Sequence, residues 1–146
     1  MQRIALMFIL LFLVSSVQAQ NADDLTDIQQ TALNYMEAWY QGDKKKMKES
    51  LHKKLAKRSL QYGYQNKAEI KHTKASHMIS YTAGGIGKGL WTDGSRIEVS
   101  VLDHFKNIAS VKVLTPHYNE YLHLVKIDNR WVIINALYES SVQARE

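Results

Sequence analysis

The chain has no cysteine and a single proline in 146 residues. Without cysteine, neither a disulfide framework nor a lipid-modified cysteine can hold it, so stability has to come from a core or from association. One proline, with 45% apolar and 23% charged residues, excludes the disordered, collagen-like and low-complexity classes, whose chains cannot bury a core. Long hydrophobic runs are also missing. The longest, Ile4 to Val14, has eleven residues, about half of the roughly 20 that a membrane-spanning helix needs. The length admits one domain and not a second.

What stands at the N-terminus is a positive Arg3, that apolar run, and small side chains at Val17 and Ala19. This is the pattern of a secretory signal peptide, with cleavage expected between Ala19 and Gln20. Residues 1–19 are therefore expected to be a signal peptide and residues 20–146 a single domain. The domain is expected to be periplasmic or secreted, with no stable membrane insertion after signal cleavage.

From Asp23 to Tyr40, apolar residues recur at three- and four-residue steps (Leu25, Ile28, Ala32, Tyr35, Met36, Trp39), which predicts one face of a helix. Thr26 and Gln29 have capping-box spacing. Gly42 stops this helix, and Asp43 caps a shorter one with Met47 and Leu51 on its seam. From His52 to Asn66 a strand and a continued helix both fit. A third helix is expected from the cap Thr73, carrying Ser76 to Tyr81 and ending in the glycines after Ala83. Four β-branched runs follow: Arg96 to Asp103, Ile108 to Thr115, Tyr118 to Ile127 and Arg130 to Tyr138. Their short separations predict an antiparallel meander. With Asp128 and Asn129 as a two-residue turn, counting back puts Tyr121 and His123 on one face with Val132, Ala136 and Tyr138. Both faces then read as largely apolar, which calls for helices on one and a partner subunit on part of the other. Three helices followed by a meander make an α+β fold.

Charge is uneven. Between Lys44 and Lys74 eleven basic residues face two acidic ones, net +9, whereas the rest of the chain after Ala19 has seven against twelve, net −5. Such a run reads as a solvated face from which one or two of His52, Lys57 and Arg58 reach an acidic small ligand. No nucleic-acid motif accompanies it, and nucleic acid is not an expected partner. Six histidines lack metal-ligand spacing: His72 and His77 are five apart, His117 and His123 lie far apart on one strand, and there is no HExxH. No metal and no cofactor are expected. Lys88 among its glycines fails the phosphate-loop template, and no Gly-x-Ser-x-Gly marks a serine nucleophile.

The string from Tyr35 to Asp43, then Leu51-His52, Lys57-Arg58, Val99 to Asp103, Ile108 to Ser110, Tyr118 to Leu124 and Asn129 to Ile133 resembles the "Putative lumazine-binding" family. That family sits in the nuclear transport factor 2-like superfamily with the SnoaL-like polyketide cyclases and ketosteroid isomerase. The resemblance implies a cone: N-terminal helices packed on a curved antiparallel sheet, a pocket inside, and a homodimer formed through the sheet's outer side. One departure is Lys53, where relatives tend to have proline. By resemblance to ketosteroid isomerase, Tyr35 stands eight residues before Asp43 as that enzyme's oxyanion-donor tyrosine does. The position of its general base falls on Ser59, in the acid-free stretch Lys53 to Leu60, so carboxylate proton abstraction there is not supported. Asp103 is the substitute.

The expected function is an exported small-molecule-binding domain for an aromatic or anionic ligand. Tyr35 and Trp39 would supply stacking surface, His52 and Arg58 charge at the mouth, and Tyr121 and His123 polar contacts from the sheet. The alternatives are a cyclase or isomerase-type enzyme, with His123 or His52 as base and Tyr35 as donor, and a protein–protein interaction module with a closed core.

Overall fold

The structure, a computed structural model, describes residues 23–63, 65 and 67–141. The expected signal peptide and its cleavage site lie outside them. Helix α1 spans residues 23–41, so Thr26 falls within the helix rather than at its cap. Gly42 at φ +70° ends it, in the left-handed region that suits glycine at this position. Helix α2 (Lys44–Ser50) starts at the expected cap, with Asp43 Oδ1 accepting from Lys46 N at 2.9 Å. Its seam ends early, because Leu51 already belongs to a strand.

That strand, β1 (Leu51–Tyr62), resolves the ambiguous segment as extended chain. It is followed by β2 (Ala68–Thr73), α3 (Ala75–Ala83), a 3-10 turn (Lys88–Leu90), β3 (Glu98–Phe105), β4 (Ile108–Leu114), β5 (Tyr118–Ile127) and β6 (Arg130–Ser140). Thr73 is the last residue of β2; the cap position of α3 is Lys74, which offers no side-chain bond. The six strands form one curved, unclosed sheet in the order β2-β1-β6-β5-β4-β3. The meander of four is present, but β1 joins β6 in parallel, so the sheet is mixed rather than wholly antiparallel.

Helices lie on the inner side of this sheet. Ile28, Ala32, Tyr35 and Met36 of α1 pack with Val111, Val113, Leu122, Leu124 and Ile133 in one buried cluster. A polar clasp fixes the start of α1: Asp24 Oδ1 accepts from Lys126 Nζ at 2.6 Å and from Trp131 Nε1 at 3.1 Å.

The hairpin between β5 and β6 turns at Asp128 and Asn129, both at positive φ, the backbone a tight two-residue hairpin requires. Ile127 faces Arg130 and Val125 faces Val132 as expected, but the register then shifts between His123 and Leu124. Ile134 is the extra residue of a β-bulge. Beyond it, Leu122 faces Ala136, Tyr121 faces Leu137, and Glu120 faces Tyr138. The expected grouping of Tyr121 and His123 with Ala136 and Tyr138 is therefore reversed. Tyr121 and His123 look outward, and that outer face is not mainly apolar: Arg58 donates to Asn135 Oδ1 at 3.1 Å, and Asn135 Nδ2 lies 3.1 Å from His123 Nδ1.

Candidate functional site

Under α1 and α3 lies a cavity of about 290 Å³ lined in part by Tyr35, Trp39, Lys57, Tyr118, Glu120 and Tyr138. The helical spacing of Tyr35 and Trp39 brings both to its wall. Strand alternation does the rest: Glu120 shares the inward side of β5 with Leu122 and Leu124, and Lys57 shares that of β1 with Leu55 and Ser59.

Lys57 and Glu120 form an ion pair whose side chains are 5% and 3% exposed. Lys57 Nζ donates to Oε1 at 2.8 Å, to Oε2 at 2.7 Å and to the Tyr35 hydroxyl at 2.7 Å. The Tyr35 hydroxyl donates in turn to Glu120 Oε2 at 3.1 Å. The three donors of the ammonium are thus all used, and the aromatic face of Tyr138 lies 3.9 Å away, centroid to Nζ, in cation–π geometry.

Burial pushes the Lys57 amine below its ordinary 10.5, against the pull of the Glu120 charge. Burial and then the same carboxylate push the Tyr35 phenol well above 10.0, and burial raises Tyr118 as well. Trp39 Nε1 is buried without a hydrogen bond of ordinary geometry, although it faces the Tyr118 phenol closely enough to favour that group's ionised form. Chemically the site offers an amine, a carboxyl and a phenol joined by hydrogen bonds and walled by aromatic rings.

The other expected site residues are elsewhere. His52 is in β1, where its Nδ1 accepts from Lys54 N at 3.2 Å. Arg58 alternates to the opposite side of β1 from Lys57 and lines a separate concavity. Tyr121 and His123 are on the outer face. Asp103 is exposed, with its carboxylate bound to the His104 backbone. Of the six expected residues, only Tyr35 and Trp39 line this cavity; Arg58 and His123 meet instead through Asn135 on the outer face. Lys57, expected to reach an anionic ligand, is paired internally. Glu120, Tyr118 and Tyr138 were not anticipated. The available signal was Glu120 itself, a charge in phase with the apolar residues Leu122 and Leu124, which requires a buried cation.

The model of the family described as "Putative lumazine-binding" matches residues 23–139. The chain belongs to this family. Membership supports a small-molecule-binding domain, and the fold agrees with solved nuclear transport factor 2-like structures. One, a protein of unknown function from Silicibacter pomeroyi, is 12% identical with a TM-score of 0.63, over 82% of this chain and 98% of that one. Another, from Methylobacillus flagellatus, is 17% identical at 0.62, over 82% and 94%. A ketosteroid isomerase-like protein from Erwinia carotovora atroseptica is 13% identical at 0.57, over 82% and 97%. At such identities the likeness shows the fold alone. No curated protein matches this family member by sequence. Among its described residues, no helix is long and apolar enough to cross a membrane.

Proposed function

We propose that this protein is an exported, homodimeric carrier or sensor of a small planar, aromatic or anionic molecule held in the cavity between Trp39, Tyr118 and Tyr138. The observation that carries the reading is the Lys57–Glu120–Tyr35 network. A buried ion pair is a weak source of stability, since desolvation offsets most of its attraction. Its position on a cavity wall supports a role in orienting a ligand's polar edge while the rings stack on its faces. Export is supported by the signal-like N-terminus, and dimerisation by the outward-facing Tyr121 and Leu137, 46% and 50% exposed and directly paired across the sheet.

The test is native mass spectrometry of the full-length product recovered from its own envelope fraction. The expected result is a dimer whose subunits begin at Gln20 and carry a bound small molecule. Tyr35→Phe with Trp39→Ala should release that molecule; full retention by the double variant would remove this cavity as its site.

The cyclase or isomerase reading has one observation in its favour, the hydrogen-bonded Glu120 and Tyr35 at the cavity. A base at His52 or His123 has no support, because neither lines it. If the protein is an enzyme, Glu120→Gln abolishes turnover of any substrate found while His52→Ala and His123→Ala do not. A closed-core interaction module is disfavoured by the cavity itself.

A further inference from the structure

A second concavity, of about 560 Å³, lies where α2, β1 and α3 meet. Lys48, Lys53, Lys54, Arg58, His72 and Lys74 line it over a floor that includes Leu55 and Ile79, and no acidic side chain is among its lining residues. This is where much of the strongly basic stretch of the sequence converges.

Four of the protein's cations are paired with carboxylates, and the remaining Lys and Arg side chains, in the hollow and elsewhere, make no ion pair among the described residues. Lys45, Lys46, Lys57 and Lys126 each face a carboxylate: Glu49, Glu37, Glu120 and Asp24. Among the described residues, none of the five Lys and Arg side chains around the concavity makes such a pair. Like charges gathered around one hollow repel one another, and a wall that excludes part of the solvent strengthens the field between them. A multiply charged anion would relieve that repulsion at several points at once.

The backbone adds donors beyond the Lys54 N–H, which already donates to His52 Nδ1. Pairing of β1 with β2 begins at Lys57 opposite Thr73, and its register with β6 jumps from Leu51 to Ala56. Residues 52–55 therefore have no register partner in either neighbouring strand, and Lys53 and Lys54 project from this unpaired edge. Across the hollow, α3 begins without a side-chain cap and without an acidic residue in its first turn, and Ala75 and Ser76 belong to the lining. Helix-end N–H groups favour negative charge. They supplement a site that the side-chain cations already define.

From this arrangement we infer that the hollow between β1 and the start of α3 binds a phosphate-bearing anion of at least two negative charges, independently of the aromatic cavity. Phosphate oxygens accept from lysine, arginine and backbone donors together. The apolar floor suits the carbon portion next to such a group. The same chemistry is offered by a free phosphorylated metabolite and by an anionic lipid headgroup, and the experiment separates them.

The protein, isotopically labelled, is titrated with inorganic pyrophosphate and followed by amide NMR. In parallel the protein is sedimented with phosphatidylglycerol or phosphatidylcholine vesicles. Lys53→Glu with Lys54→Glu is compared with Lys44→Glu with Lys106→Glu, which changes net charge equally but lies outside the hollow. Saturable shifts at residues 53–56 and 74–76 are expected, and the first variant should weaken binding by about tenfold while the second stays within about twofold. Pyrophosphate binding alone identifies a free phosphorylated ligand; position-dependent binding to phosphatidylglycerol identifies a headgroup. Equal loss in both variants, or no shift at those amides with either probe, overturns the inference.

Discussion

Glu120 and Tyr138 are direct cross-strand partners on β5 and β6, and the Lys57 ammonium lies within reach of both, bonded to the carboxylate and seated over the ring. One cation thereby ties α1, β1, β5 and β6 together at the cavity wall.

Removing a single charge from this network should be worse than removing all of it. Glu120→Gln leaves the ammonium buried without its counter-charge and should cost about 3–5 kcal/mol. Lys57→Met with Glu120→Leu and Tyr35→Phe, which leaves no orphaned polar group, should return to within about 1–2 kcal/mol of the parent. Urea midpoints decide it, and a triple variant less stable than Glu120→Gln would contradict the account.

Alkaline pH should unfold the protein through its phenols. In the folded chain Tyr35, Tyr40 and Tyr118 are all held above 10.0, burial being the leading cause for each. Unfolded tyrosines release their protons at that value while the folded ones keep them, so the folded state binds more protons and stability falls as pH rises beyond about 10. The fall should be shallower in Tyr35→Phe. Phenolate absorbance that rises for every tyrosine at the ordinary pH in the folded protein would refute this.

At the other end of the pH range the clasp on α1 matters. Burial raises Asp24, but the bonds from Lys126 and Trp131 and the neighbouring charge outweigh it, and the carboxyl sits below 3.8. An acid depressed in the folded state stabilises above its unfolded value and loses that contribution as pH falls from about 3.8 through the folded value. Asp24→Asn should lose about 1–3 kcal/mol at neutral pH, the cost of weakening two charge-assisted hydrogen bonds to a buried carboxylate. Its stability should also change less than the parent's over that acid window, which denaturation at graded pH would report.

Gly87 is required for close approach rather than for an unusual φ. A methyl group there would overlap the Trp39 carbonyl oxygen and crowd its indole. Gly87→Ala should therefore destabilise by about 1–3 kcal/mol and alter tryptophan fluorescence. Gly89→Ala, which meets nothing nearby, serves as the matched control and should be silent in both measurements.

The sequence made α1, the Asp43 cap and the β5–β6 turn readable, because each is specified by neighbours within a few residues. It left β2 unrecognised for a physical reason. Five of its six residues are exposed, so no alternation marks it, and pairing with β1 is what makes it a strand. Tyr35 and Trp39 were legible through helical spacing. The Lys57–Glu120 pair was not: the two residues are 63 positions apart, and a lysine in a basic run reads as solvated until its partner is known. The misplacement of Tyr121 and His123 came from the bulge, which a period-2 count cannot detect.

That bulge has a consequence beyond register. Deleting Ile134 would leave Asn135 facing His123, Leu137 facing Tyr121 and Tyr138 facing Glu120, each on its present side of the sheet, because the bulge holds the one residue that interrupts strict alternation. The strand can lose a residue at this point without turning the cavity wall inside out. In this scaffold the bulge is a place where chain length is adjustable while the side chains beyond it keep their assigned faces.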